Sequence, residues 1–284
     1  MRADTGPLAL IAGRGRLPLE VARAARRRGR RVQAIGFPGE TEPALEAEVE
    51  RLTWLHLGEI GALLRTLREA GAHEAFLVGK VPKTHLYGDL ARLRPDSTAL
   101  GLLARLRDRK DDSILGTLAS FLEEQGVRLG AQAELVPELV AGEGVLGRVA
   151  PTPAQRADVA FGWPVAKAIG GLDVGQTVVV RDRAVLAIEA IEGTDEAIRR
   201  GGLLGGPGAC VVKVAKPGQD PRFDLPAIGA ETLDVMCEVG ASVLAVEAGA
   251  TLMLERERLL AAADAAGIAV LGVPPGGPAA DAPG

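Results

Sequence analysis

Pro7–Gly36, PLALIAGRGRLPLEVARAARRRGRRVQAIG, decides the fold. Its opening, Pro7–Ala12, is a short apolar run of the kind carried by a strand buried on both faces. Gly13 and Gly15 in GRGRLP permit a tight turn and a close approach of backbone to a ligand. An amphipathic helix follows from about Leu17 to Arg28, and Arg31–Gly36 reads as a second strand. Strand, glycine loop, helix, strand is a βαβ unit of Rossmann type, and the helix N-terminus behind the glycines favours an anion. The dinucleotide fingerprint is incomplete, however. Pro18 stands at the third glycine position, and Gly36 and Phe37 stand where an acid would hold a ribose. The basic run Arg23–Arg31 reads as a solvated helix end that suits the helix dipole; capture on a membrane surface is the minority reading.

Working outward, Leu57–Ala70 reads as a helix and Ala75–Val78 as a strand running into GKVPKTHLYGD. Loops at the C-terminal edge of a parallel sheet form the ligand crevice. Gly13–Pro18 and Gly79–Lys83 are therefore expected to be neighbours. RKDDSILGTLASFLEEQG reads as a helix with Asp111 and Asp112 at its start, where capping and the dipole alone favour acids. Weak periodicity and turn residues mark 134–153 as a linker. The expected architecture is α/β: a Rossmann-like parallel-sheet domain over 1–133, and a C-terminal, catalytic, mixed α/β domain over 154–284. In that second half, Val178–Arg181 and Ala184–Ala190 flank Asp182–Arg183 as a hairpin. It closes in EGTDEAIRRGG, where Thr194 is a natural N-cap. Ser242–Val246, Thr251–Leu254 and Ile268–Val273 read as strands, and Pro274–Gly284 as a frayed tail.

The most heavily charged loop is Lys213–Glu231, KVAKPGQDPRFDLPAIGAE, after an apolar strand over Gly208–Val212. Its prolines fix backbone dihedrals and so favour one conformation. Lys213, Lys216 and Arg222 suit phosphate oxygens; Asp220 and Asp224 suit a divalent metal or an oriented water. The plain alternative is a stiffened, solvated loop. Lysine is scarce in a chain with 33 Lys plus Arg. Lys80, Lys83, Lys213 and Lys216 nevertheless fall in the two loops VGKVPK and KVAKPG, while Lys110 and Lys167 lie elsewhere. An ammonium is not interchangeable with a guanidinium, so lysines kept against that bias suggest specific roles.

A chain of 284 residues suits two modest domains, and a net charge of −4 argues against non-specific nucleic-acid binding. Cys210 and Cys237 sit in apolar patterns and read as core residues rather than a disulfide framework, which implies a reducing cytoplasm. No apolar run reaches the length of a membrane span. There is no GxSxG, HExxH or P-loop motif, and His56, His73 and His85 are scattered. A His-rich binuclear phosphoesterase is thereby excluded, and hydrolytic chemistry would need oxygen ligands and Mg²⁺ (or Mn²⁺).

The ordered set IAGRGRLP, GKVPK, RKDDSIL, EAIEGTDEAI, KVAKPGQDPRFDLPAIGAET and VEAGATLML resembles one family from about Leu8 to Val273. That family is the UDP-2,3-diacylglucosamine pyrophosphatases of lipid A biosynthesis, of the type unrelated to calcineurin-like phosphoesterases. The resemblance implies cleavage of an acylated UDP-sugar to UMP and 2,3-diacylglucosamine 1-phosphate with a divalent metal, water attacking the β-phosphorus. It implies two domains with the ligand held between them. It places the family's important aspartate, in the motif ending DLP-x-IG, at Asp224, as catalytic residue and metal ligand. Asp220 and Glu192 are second choices for the metal. Substrate contacts are then expected from Gly13, Gly15, Gly79, Lys80, Asp112, Gln176, Glu192, Thr194, Lys213, Lys216 and Arg222.

A pyrophosphate is anionic, and a metal bridging its oxygens would offset charge in the transition state. Lys213 and Lys216 would neutralise phosphoryl oxygens, Thr194 and the amides after it would take a phosphate or sugar hydroxyl, and an apolar trough would take the acyl chains. Other expectations are a cytoplasmic homodimer, peripheral contact with the inner membrane, and no nucleic-acid partner. The rival reading is a nucleotide-sugar or dinucleotide binding protein, or an oxidoreductase, that uses the Gly13–Pro18 loop. A non-enzymatic scaffold is the third, and the charge gathered in one loop counts against it.

Overall fold

The computed structural model describes residues 6–79, 93–105, 111–218, 220–222 and 225–278, with side chains of the third segment from residue 114. The chain divides into two compact units. One runs to Val136 and takes in residues 220–222; the other comprises the chain from Pro137 onward apart from those.

The first unit is built on a parallel sheet. Its strands are β1 (Leu8–Ala12), β2 (Val32–Gly36), β3 (Arg51–Trp54), β4 (Glu74–Val78) and β5 (Arg128–Leu129), in the order β3-β2-β1-β4-β5. Strand β1, LALIA, is buried along its whole length, as a central parallel strand covered on both faces must be. Helix α1 (Leu17–Arg27) starts on Pro18, whose fixed φ suits a first turn, and buries Val21, Ala22, Ala24 and Ala25. Helix α2 (Ile60–Glu69) sets Leu63, Leu64 and Leu67 into a core with Ile11, Ile35 and Ala75. Asp96 caps α3 (Ser97–Leu103) by accepting from the Ala99 amide at 2.9 Å. Helix α4 (Asp111–Glu124) precedes β5 and is followed by the short α5 (Gln132–Leu135). The strand order reverses between β1 and β4, which is the topological switch point where open α/β sheets take ligands.

The second unit carries a mixed sheet. Strands β6 (Gly144–Val145), β7 (Thr177–Arg181), β8 (Ala184–Ile188), β9 (Cys210–Lys213), β11 (Val243–Glu247) and β13 (Ala269–Val273) lie in the order β6-β13-β11-β9-β7-β8. The three strands β9, β11 and β13 are parallel; β6, β7 and β8 run antiparallel to their neighbours. Strand β10 (Ala227–Ile228) pairs separately with β12 (Leu252–Met253). The segment 134–153, read as a linker, is structured: from Pro137 it groups with the second unit, Ala141 is buried, and β6 adds to the edge of β13.

A helix absent from the sequence reading, α6 (Pro153–Gly171), covers one face of this sheet, and a Thr152–Gln155 capping box starts it. Its packed face carries Val159, Trp163, Ala166 and Ile169, but Phe161 is exposed on another face and blurs the periodicity. A Cβ on Gly162 would lie 2.8 Å from Val180, so a glycine is needed for the helix to approach the sheet. On the other face lie α7 (Thr194–Gly205), α8 (Ala230–Val239) and α9 (Arg256–Ala265), around Ile198, Leu233, Met236 and Leu259. The hairpin turns on Asp182 and Arg183, both at positive φ. Asp158 offsets that strain, because its two carboxylate oxygens accept from both turn amides, at 3.1 and 2.7 Å.

Of the two cysteines, Cys210 is core as expected, and burial pushes its thiol up to about 12. Cys237 is exposed on α8, one position past the buried Met236. Among the described residues no helix is long and apolar enough to cross a membrane.

Candidate active site

Two sheet edges hold most of the described candidate residues. At the first unit's switch point the Gly13 amide donates to the Val78 carbonyl at 2.8 Å, joining the ends of β1 and β4. Gly79 has φ +91°, and a Cβ there would lie 2.8 Å from the Arg14 carbonyl oxygen and 3.1 Å from Pro18. Gly79 therefore touches the Gly13–Pro18 loop, as their positions predicted, while residues 80–83 lie outside the described residues; Gly79 is required twice, by conformation and by space. Gly15, at φ +96°, has open space around it. Beyond β2 the chain turns back, and Glu40, almost fully buried, meets Arg14 of the glycine loop at 3.2 Å. Thr41 donates to the Ala12 carbonyl at 2.5 Å and accepts from the Phe37 amide.

The basic end of α1 is used locally. Arg23 and Arg26 pair with Glu48, and Arg28 donates to the Leu135 carbonyl.

In the second unit, β9, β11 and β13 end on the same edge, and β7 begins there. Lys213 was read as the first loop residue. It is instead the last residue of β9, opposite Thr177 and Val246, and only 4% exposed. Its stem lies among core residues while its Nζ donates to Thr194 Oγ1 at 3.1 Å and to the Ala227 carbonyl at 3.0 Å. A buried ammonium persists only with such partners. Thr194 was read as the N-cap of α7. The cap is Gly193, at φ +87°, a conformation glycine adopts freely. The Thr194 hydroxyl is drawn away to donate to Glu189 Oε1 at 3.0 Å. Glu189 Oε2 accepts from the Gln176 amide at 3.2 Å, and the buried Gln176 side-chain oxygen has no hydrogen-bond partner among the described residues. Lys213, Thr194, Glu189 and Gln176 thus form one chain of contacts.

The other candidates are held in pairs. Lys216 donates to Asp173 at 2.6 Å. Glu192 accepts from Arg200 at 2.6 Å; backbone hydrogen bonds first, then that guanidinium, hold its carboxyl below the usual range. Asp220 accepts from the Arg222 side chain through both oxygens, and those hydrogen bonds hold its carboxyl low. Arg222 reaches Glu123 of α4 at 2.7 Å. Among the described residues no three His, Cys, Asp or Glu are grouped as a metal site. Asp224 and Lys80 lie outside the described residues; Asp112 is the second residue of α4, its side chain outside them.

Glu189, Glu247 and Lys167 escaped the sequence reading. Glu247 stands in the quoted VEAGATLML motif and Lys167 among the scarce lysines. Only their long-range contacts show that they belong to this edge.

Two family models together match nearly the whole chain: the LpxI N-terminal domain over residues 7–139 and the LpxI C-terminal domain over 142–271. The chain belongs to the LpxI family. A curated LpxI relative, the UDP-2,3-diacylglucosamine pyrophosphatase LpxI of Caulobacter vibrioides, is 34% identical, with 94% of this chain and 98% of the relative covered. Among solved structures, the biotin carboxylase domain of a thermophilic 2-oxoglutarate carboxylase bound to ADP matches at a TM-score of 0.26 and 13% identity. It covers 51% of this LpxI chain and 30% of its own. The same domain from Hydrogenobacter thermophilus with MgADP matches at 0.26 and 17%, covering 70% and 33%. Scores that low say nothing further about this LpxI family member.

Proposed function

We propose that this chain hydrolyses the pyrophosphate of UDP-2,3-diacylglucosamine to UMP and 2,3-diacylglucosamine 1-phosphate in lipid A biosynthesis. The observation that carries this reading is the full-length relationship to the Caulobacter vibrioides enzyme of that name. The second unit's edge supports it chemically. Lys213 presents a fixed positive charge at the end of a strand, inside a low-dielectric wall, where it offsets charge that develops on phosphoryl oxygens. Glu189 fixes the Thr194 hydroxyl and through it the ammonium, so little reorganisation is needed when that charge develops. Water supplies the entering oxygen, the bridging P–O bond breaks, and UMP leaves. With heavy-oxygen water the label enters the sugar phosphate when the β-phosphorus is attacked, and enters UMP when the α-phosphorus is.

A divalent metal belongs to the proposal through Asp224. The described residues do not complete a site for it. Both Asp220 oxygens serve Arg222, and Glu189 and Glu247 serve protein donors. The Arg222 guanidinium on Asp220 opposes a cation there by its like charge.

The test is UMP release from the acylated UDP-sugar by the purified chain, before and after EDTA. Release that stops on chelation and returns with Mg²⁺ or Mn²⁺ supports the whole reading. Unchanged release after exhaustive chelation removes the metal and keeps the hydrolase. No release, with nicotinamide fluorescence in the purified protein, favours dinucleotide binding at the Gly13–Pro18 loop. The proposal extends to a cytoplasmic homodimer in peripheral contact with the membrane, tested by sedimentation with and without vesicles.

A further inference from the structure

The root of the charged loop after β9 is held by an ion pair to which the reaction scheme above gives no role. Lys167 projects from α6, and Glu247 ends β11. Lys167 Nζ donates to Glu247 Oε2 at 2.5 Å and to the Ala215 carbonyl at 2.9 Å. The same Glu247 oxygen accepts from the Ala215 amide at 2.8 Å. One carboxylate and one ammonium therefore grip both backbone groups of a single residue, two places beyond Lys213. Glu247 is 5% exposed, and Lys167 also lies over the Trp163 ring, 5.8 Å from its centre. The residues that follow are pressed on the same helix. A Cβ on Gly170 would lie 3.4 Å from the Lys216 Cα and 3.3 Å from Pro217, and Lys216 itself pairs with Asp173 just past the helix end.

An ion pair whose carboxylate is buried and whose ammonium is a quarter exposed is a poor way to gain stability, because desolvation offsets much of the attraction and apolar residues of equal volume often do as well. What this pair adds over an apolar filler is direction. It fixes the peptide planes on either side of Ala215, from which the chain runs on to Lys216 and Pro217. We infer that Lys167 and Glu247 are positioning residues for the hydrolysis, setting the course of residues 214–218, Lys216 among them, relative to Lys213. The inference rests on the proposed function and adds to it two residues that touch no substrate.

The test compares kcat, KM and Tm of wild type with Glu247→Gln, Lys167→Met, the double variant, and Lys167→Arg. Misplacing a reacting group by about 1 Å can lower a rate by about a hundredfold, so each single variant should lose about thirty- to hundredfold in kcat with KM within about threefold. Because both residues hold one peptide, the double variant should lose no more than either single. It leaves no buried charge unpaired, so it keeps its fold where a single variant does not. Lys167→Arg keeps the charge and the fold but changes the head that grips Ala215, and it should lose kcat too. Variants that shift Tm while kcat of the folded protein stays within about threefold of wild type overturn the inference. So does a double variant whose losses multiply. Wild type that releases no UMP overturns the functional reading and this inference together; active wild type with unimpaired variants overturns the inference alone.

Discussion

The two sheet edges differ in what they are made of. The first unit's switch point is built from backbone: the Gly13 amide, the Val78 carbonyl and a Gly79 that no side chain can replace. Its charged pair, Arg14 with Glu40, braces the loop. The second unit's edge is built from side chains on strand ends. Lys213 and Glu247 close β9 and β11, and helices on either face supply Thr194 and Lys167 as their partners. A backbone edge can cradle an anion but has no group to remove without breaking the turn. A side-chain edge can be stripped of a charge while the fold survives. The proposed chemistry sits at the second edge, and substitutions at Asp224, Gly79, Thr194 and Lys213 test that placement.

Asp224→Ala should have the largest effect. Asp224 follows this edge in sequence, in the DLPAIG motif, and its loss should lower UMP release by at least about a thousandfold, or about 4 kcal/mol of barrier, with Tm near wild type. Activity within about tenfold of wild type, about 1.4 kcal/mol, would take the central role away from it.

Gly79→Ala should act on folding rather than chemistry. The φ of +91° and the 2.8 Å approach to the Arg14 carbonyl predict about 1–3 kcal/mol of strain, seen as a lower Tm. Protein that remains folded should keep its kcat. Wild-type Tm with a collapsed kcat would move the chemistry to the first edge.

These contrasts follow from how far each edge could be read in the sequence. At the first, the glycine contact was legible, because glycine loops after apolar strands encode backbone geometry within a few residues, and Gly79 does touch the Gly13–Pro18 loop; the Arg14–Glu40 pair was not. The Lys213–Glu231 loop was singled out for its charge, but the state of its lysines was not legible. Lys213 is a strand residue because Thr194, 19 positions earlier, and Ala227, 14 positions later, satisfy its ammonium. Nothing local distinguishes that lysine from a solvated one. The Lys167–Glu247 pair spans 80 positions. Helix α6 is hard to read because the core residues Val159, Trp163 and Ile169 share the helix with an exposed Phe161 and with glycines and alanines, which leaves no clean apolar stripe. Thr194 carried the signature of an N-cap, and Glu189 outcompeted the helix end for its hydroxyl.

Thr194→Val removes the link between Lys213 and Glu189 without removing either charge. It removes the hydrogen bonds to both Lys213 and Glu189 and should lower kcat by about tenfold or more. An unchanged kcat would show that Glu189 does not orient the ammonium.

The smallest effect is a pH dependence confined to the 220–222 turn. Hydrogen bonds from Arg222 hold the Asp220 carboxyl below its ordinary 3.8. A lowered folded-state value means that the stabilisation is fully present above the unfolded value and is lost as pH falls through the lower, folded one. The Tm gap between wild type and Asp220→Asn should therefore stay constant from neutral pH down to about 3.8 and close only below it. A gap that closes well above that value would mean that the pair does not form in solution.

Lys213→Met bears most directly on the central claim, that a strand-borne ammonium in the second unit serves phosphoryl transfer. Methionine keeps an unbranched stem and deletes the charge together with its hydrogen bonds to Thr194 and the Ala227 carbonyl. kcat/KM for UMP release and Tm, measured on the same preparation, decide it. The prediction is a fall of about thirty- to hundredfold, or about 2–3 kcal/mol of transition-state stabilisation, with Tm within a few degrees of wild type. Wild-type turnover with an unchanged or higher Tm would show Lys213 to be a core lysine with no part in the reaction.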